Sequence, residues 1–282
     1  MLISSSYPAS TEYQPSVADV VRAKRYLRSK FPAKLVDRII DDASYWPHSS
    51  VYLERSLTVP MRSVEDVIYM RTLPLGIRGT DGDFNLLGED FKDGSAWRKK
   101  LRLGGPDDLS WSTPTLPHPC RKIVFQLWSN DQGWGGEQGY GPYKASYTWF
   151  DVGIEKAQTS IFTNNTVDWP ASLLFKEEVG AFRIQSDVTR PSLPSDRTLQ
   201  KNVMAKKETT EHTIVWHFLD SFDNESAEAI KAGKLGRGPG SLDGKFVRNM
   251  QVGDCITLWA RARFPGWKNH VKRAKITVYW AA

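Results

Sequence analysis

Cysteine is nearly absent: Cys120 and Cys255 are the only two in 282 residues. So sparse and distant a pair excludes a disulfide framework or a cysteine-built zinc site, and both are read as reduced thiols. Long apolar runs are missing too. No stretch approaches the roughly 18–20 apolar residues of a spanning helix. The start, Met1-Leu2-Ile3-Ser4, lacks the positive and apolar regions of a signal peptide. The expectation is an intracellular, cytoplasmic protein with no membrane span, in which the sequons Asn164-Asn165-Thr166 and Asn224-Glu225-Ser226 are chance matches. Charge of one sign is not concentrated: 38 Lys and Arg oppose 32 Asp and Glu for a net of +6, mostly interspersed. Specific nucleic-acid binding is therefore not expected.

Catalytic signatures are equally scarce. The run Gly236 to Phe246 superficially resembles a phosphate loop, but Pro239 and Phe246 stand where glycine and a hydroxyl residue are required. Ser241 replaces the third glycine of a dinucleotide fingerprint, and no strand leads into it. There is no Gly-x-Ser-x-Gly elbow and no His-Glu-x-x-His pair. His212 and His217 would point to opposite faces of one strand. No metal site, cofactor or catalytic residue is expected. An enzyme using His270 or His217 with Asp131 or Asp151 as acid and base rests only on their availability.

Aromatic residues make up 12% of the chain and include eleven tryptophans, the composition of a packed globular protein. Residues 1–15 carry no apolar period and read as a tail. Ser16 can cap a helix whose stripe is Val17, Val20, Val21, Lys24 and Leu27, with Asp19 in its first turn. After the Phe31-Pro32 corner, Leu35, Val36, Ile39, Ile40 and Ala43 form a second stripe. The pair is a helical hairpin over 16–47, with seven basic and two acidic residues in 16–38.

Beyond Pro47 alternation replaces the helical period, which predicts an antiparallel β domain over 48–282. Strands are expected near 51–59, 64–72, 121–129, 144–152, 172–187, 199–206, 212–219, 254–264 and 273–281. Long loops are expected at 73–118 and 220–250, the latter with a short helix over 225–232. In 254–264, alternation places Ile256, Leu258, Ala260, Ala262 and Phe264 on a core face, and Cys255, Thr257, Trp259, Arg261 and Arg263 on a decorated one. The fold expected is α+β and mainly β: a helical hairpin packed on an antiparallel, jelly-roll-like β-sandwich.

Three constellations could carry function. In Trp128-Ser129-Asn130-Asp131-Gln132-Gly133-Trp134-Gly135-Gly136, the glycines leave Trp134 without bulky neighbours, while Asn130 and Asp131 equally suit a plain turn. An exposed indole beside Asp131 would suit a sugar ring or an aromatic ligand. One carboxylate is far short of a calcium site. In Tyr147-Thr148-Trp149-Phe150-Asp151, alternation groups Tyr147, Trp149 and Asp151, as core aromatics also would. From 261 to 275 there are six basic residues and no acidic one. Arg261 and Arg263, followed by Trp267 and His270 in a turn, could hold a carboxylate or phosphate against an aromatic wall, or could be a solvated hairpin.

The segments 122–136, Ser146 to Asp151, Gly244 to Arg248 and Ala260 to Trp267 together resemble an intracellular family of filamentous fungi, from about residue 16 to the C-terminus. That resemblance implies no reaction and no ligand. More loosely, the β part resembles galactose-binding-like jelly rolls, and residues 31–40 resemble the opening of an F-box. The reading is a non-enzymatic module binding a carbohydrate or acidic small molecule through Asp131, Trp134, Arg261, Arg263, Trp267 and His270. The alternative is an adaptor that docks a protein partner through residues 16–45.

Overall fold

Ser16 starts the first helix, α1 (Val17–Arg28), through a reciprocal cap: its hydroxyl accepts the Asp19 N–H while the Asp19 carboxylate accepts the Ser16 N–H. Pro32 opens α2 (Ala33–Asp42) and cannot itself continue a helix inward. The two inward stripes meet as one cluster, in which Val20, Val36, Ile40 and Trp46 pack with Phe218 and Tyr279 of the β body. Asp41 anchors this seam by accepting from Trp46 Nε1 at 2.8 Å and Arg121 Nε at 2.9 Å. Val21, assigned to the inward stripe, is instead exposed. The computed structural model describes residues 13–61, 67–73, 75–76, 116–136, 141–157, 182–184, 194–195 and 197–282. Of the expected tail, 1–12 lie outside these residues, while Tyr13 donates to Asp19 and stacks on Tyr45.

The rest is mainly β. The strands are β1 (His48–Pro60), β2 (Val67–Arg71), β3 (Cys120–Asn130), β4 (Thr148–Ala157), β5 (Phe182–Ile184), β6 (Gln200–Lys201), β7 (Thr210–His217), β8 (Cys255–Ala262) and β9 (Lys268–Trp280). They form two antiparallel sheets, ordered β1-β9-β3-β7 and β2-β8-β4-β5, with β6 also pairing to β4. Alternation explains what each sheet buries. Ile123, Phe125 and Leu127 of β3 join Val51, Leu53, Ala274, Ile276 and Val278 from the first sheet. Phe150, Ile256, Leu258 and Ala260 of the second sheet complete the same apolar cluster, so the two sheets share one core.

Several boundaries differ from the sequence reading. β9 begins at Lys268, so the turn after β8 is short and His270 lies in a strand, opposite Thr58 and Asn130. β4 runs from 148 to 157 instead of 144 to 152, because the Pro142–Ala145 turn occupies the earlier positions. The expected strand at 199–206 shortens to two residues, since Ala205 takes a positive φ of 53°. Of the strand expected at 172–187 only 182–184 is described. Most of the loop expected at 73–118 also lies outside the described residues. The 220–250 segment is largely helical: α3 (Ala227–Lys234) capped by Ser226, a 3₁₀ turn at Pro239–Ser241, and α4 (Lys245–Asn249). Val247 and Met250 bury into the core there, and the Phe246 ring sits 5.0 Å from Trp216.

The decorated face of β8 is not a surface. Cys255, Thr257 and Arg261 are buried, and two ion pairs lie on that face. Arg261 Nε donates to Asp151 Oδ2 at 3.1 Å, and Arg71 Nε donates to Glu155 at 2.9 Å across the intervening β8. Among the described residues no helix is long and apolar enough to cross a membrane.

Trp46 ties the hairpin to the body through both packing and its indole N–H. Trp46→Ala should lower the unfolding free energy by about 3–5 kcal/mol, measured by denaturant titration; a loss below about 1 kcal/mol would show a loosely attached hairpin.

Candidate functional site

At one end of the two sheets, four chain segments converge: the 131–136 loop after β3, residues 142–147 before β4, residues 202–207 after β6, and the turn 263–267 between β8 and β9. What holds them is a buried amide pair. Asn269 sits at the start of β9 and Asn202 just beyond β6, and both are fully buried. Asn202 Nδ2 donates to Asn269 Oδ1 at 2.9 Å and to Thr148 Oγ1 at 3.0 Å, and its Oδ1 accepts from Ser129 Oγ at 2.6 Å. Asn269 Nδ2 donates to the carbonyls of Trp149 at 3.0 Å and Arg261 at 3.2 Å. The pair joins β3 and β9 of one sheet to β4 and β8 of the other. Both amides use donor and acceptor sides, which removes the penalty of burying them.

Asp131 continues this internal wiring outward. Its carboxylate is buried and accepts the N–H of Gly133 at 2.7 Å and of Ala205 at 2.6 Å, pinning the 131–136 and 202–207 loops together. Burial raises its pKa above the ordinary carboxylate value, opposed by these backbone donors and that of Lys206. Gly133, at φ 85°, lies so close that a Cβ there would stand 2.8 Å from Lys207 Cβ.

Of the six residues singled out from sequence, the fold brings all into this region but gives them different exposures. Trp134 is 61% exposed, and its ring lies on Gly266, where an added Cβ would stand 2.6 Å from it. Trp267 is 9% exposed and packs edge-on to Tyr147 at 5.3 Å. Arg261 is buried against Asp151 and Trp259. Asp131 and Arg261 are therefore corrected from surface anchors to supports, because both are buried and are occupied, one by backbone N–H groups and the other by the buried Asp151 carboxylate. Arg263 is partly exposed, with no side-chain hydrogen bond or ion pair among the described residues. His270 Nδ1 lies 2.9 Å from Thr58 Oγ1; burial, Lys272 and Lys268 lower its pKa.

Alternation places Phe264 on the core face of 254–264, yet it is 41% exposed. Its φ of 68° is unusual for a bulky side chain and turns the ring out of the alternation. The ring packs edge-on to Tyr147 at 4.7 Å. Exposed Lys268, whose N–H donates to Gln132 Oε1, joins this edge, as does exposed Lys207. The result is a rim carrying two outward aromatic rings and three cations, Arg263, Lys268 and Lys207. Chemically it can stack a ring and attract an anion; it holds no paired acid and base.

A separate buried group lies at the edge of β7. Tyr143 Oη is 3.2 Å from His212 Nε2, and burial together with Arg237 and Lys206 lowers His212 to about 4. Among the described residues no group of His, Cys, Asp and Glu could hold a metal ion. No protein-family model matches the chain, and no curated protein or solved structure matches it.

Two measurements probe this arrangement. Asn202→Ala and Asn269→Ala should each cost about 1–3 kcal/mol, because each strands buried partners. The double variant should cost less than the sum, since the singles share one bond. Additive losses in denaturant titrations would show that the amides act separately. For pH, folded His212 takes its proton only near 4 while the unfolded ring does so near 6.5. The unfolded state thus binds more protons between these values. Stability is complete above 6.5 and falls by about 3 kcal/mol on acidification to 4. His212→Gln should flatten that slope in melts run across the range; an unchanged slope would assign it elsewhere.

Proposed function

We propose that the chain is a non-enzymatic binding module whose rim takes a carbohydrate or small molecule bearing an acidic group. The observation that carries this reading is Trp134: a large apolar side chain held outward on a rim whose neighbours Arg263, Lys268 and Lys207 are all cationic. A ring stacks on the indole, and a carboxylate, sulfate or phosphate meets the guanidinium bidentately. Phe264 supports the reading, because backbone strain in a bulky residue persists only where its surroundings enforce it, and such positions cluster at ligand sites. The ligand-facing set becomes Trp134, Phe264, Arg263 and Lys268, with Asp131, Arg261 and Trp267 as the supports beneath and His270 beside them.

The body that carries this rim is read as a jelly-roll β-sandwich. Support comes from nested antiparallel pairing, in which β1 meets β9, β2 meets β8, β3 meets β7 and β4 meets β5, as in one long hairpin rolled into two layers. Galactose-binding-like jelly rolls are the looser analogy, and fold analogy alone assigns no ligand.

The test is a glycan array of neutral, uronic-acid and sulfated oligosaccharides, followed by calorimetry on the best binder. Trp134→Ala should weaken binding by about 2 kcal/mol, roughly thirtyfold. Gly266→Ala should also weaken it by displacing the indole, and Arg263→Ala should remove the preference for acidic over neutral glycans. Unchanged affinity in Trp134→Ala would remove the proposal.

A further inference from the structure

The rim leaves the opposite feature of the surface, the helical hairpin, without a role. Every residue from Arg28 to Leu35 is exposed. This run, Arg28-Ser29-Lys30-Phe31-Pro32-Ala33-Lys34-Leu35, contains three cations and no acid. Its two large apolar side chains, Phe31 and Leu35, are each 43% exposed, and Val21 and Tyr26 on α1 are exposed too, whereas Val20, Val36, Ile40 and Trp46 turn inward. Behind the corner, Arg22 and Arg25 share the outer face of α1 with Arg28, three residues apart each. Arg25, Arg28, Lys30 and Lys34 make no ion pair among the described residues.

We propose that this corner is a docking site for an anionic phospholipid bilayer, with Phe31 and Leu35 entering the headgroup boundary and the cations holding lipid phosphates and carboxylates. This goes beyond the rim reading and does not depend on it.

Three observations favour a bilayer. A corner exposed at eight consecutive positions projects toward a flat partner, and apolar side chains ringed by cations match the two-part signal of interfacial binding: insertion plus charge attraction. The corner's backbone is also prepared for a medium poor in water. The N–H groups of Ser29, Lys30 and Phe31 donate to the carbonyls of Tyr26 and Leu27, and Pro32 has no N–H. Entry therefore strips few unpaired donors of water. Finally, α2 starts at this corner with no side-chain cap, so the positive end of its backbone dipole lies beside the corner's cations and favours the same anionic headgroups.

The experiment is co-sedimentation of the full chain with extruded vesicles of phosphatidylcholine alone or with about one-third phosphatidylserine, at about 0.1 M salt. The chain should bind the anionic vesicles and not the neutral ones. The charge reversal Arg28→Glu, Lys30→Glu, Lys34→Glu should reduce partitioning by about 100-fold or more, at roughly fivefold per cation. Phe31→Ser with Leu35→Ser should reduce it by about tenfold. All five positions are exposed, so circular dichroism and melting midpoint should match the wild type. As a check needing no variant, wild-type binding should weaken as salt rises from about 0.1 to about 0.5 M. Equal binding to both vesicle types would overturn the proposal. So would binding indifferent to Phe31 and Leu35, which is charge adsorption without insertion. Displacement from the vesicles by polyglutamate at equal charge would also overturn it, in favour of an acidic protein partner.

Discussion

The hydrogen bond between the side chains of Asn202 and Asn269 is the constraint on which the described rim depends. Two amides buried without partners would each carry a desolvation cost of a few kcal/mol. Here the cost is offset because each reaches groups on both sheets: Ser129 and Thr148 for Asn202, the carbonyls of Trp149 and Arg261 for Asn269. An apolar core fixes how far apart two sheets lie but tolerates sliding; directional bonds fix their offset. That offset sets where the turn after β8 meets the loop after β3. The approach of Trp134 to Gly266 follows from it, as does the reach of Gln132 to the Lys268 amide.

Around this point the molecule separates support from surface. Asp131 and Arg261 carry charge into the interior and are answered there, one by backbone N–H groups and the other by Asp151. Removing one member of such a pair would leave an uncompensated buried charge, so these residues are tied to folding before any ligand is considered. The outward groups, Trp134, Phe264, Arg263 and Lys268, contribute little to the core and are open to other uses. On the proposed reading these are the groups that touch a ligand. The hairpin shows the same division, with Val36, Ile40 and Trp46 inward and Phe31 and Leu35 outward.

Much of this was legible in the sequence wherever period and chemistry agree. Ser16, the Phe31-Pro32 corner and the 3.6 period located both helices, and the pattern of 121–129 located β3, although its alternation suggests that both faces are buried and only the Ile123, Phe125 and Leu127 face is fully so. The exposure of Trp134 followed from the glycines around it. The failures share one physical cause: alternation tells which residues share a face but not whether a second layer covers that face. Charged residues are mostly exposed, which makes Arg261 and Asp131 look like surface anchors, yet Arg261 meets buried Asp151, 110 positions away, and Asp131 is buried under the backbone N–H groups of Gly133 and Ala205. Asn202 and Asn269 gave no signal, since a lone Asn in a polar stretch looks like a turn residue until its partner 67 positions away is known. Phe264 continued the alternating pattern into the turn, where a positive φ reverses it. The strand boundary before His270 was missed because Arg, Lys and His in 261–275 mimic a solvated loop.

The central claim is that the buried amide pair and Asp131 make the rim loops as fixed as the sheets that carry them. Amide hydrogen exchange tests this most directly. The N–H groups of Gly133 and Ala205, both bonded to Asp131, should exchange as slowly as interior amides of β3, and Asn202→Ala should speed both while leaving the β1–β9 ladder unchanged. Exchange of Gly133 and Ala205 at the rate of an open loop in the wild type would contradict the account.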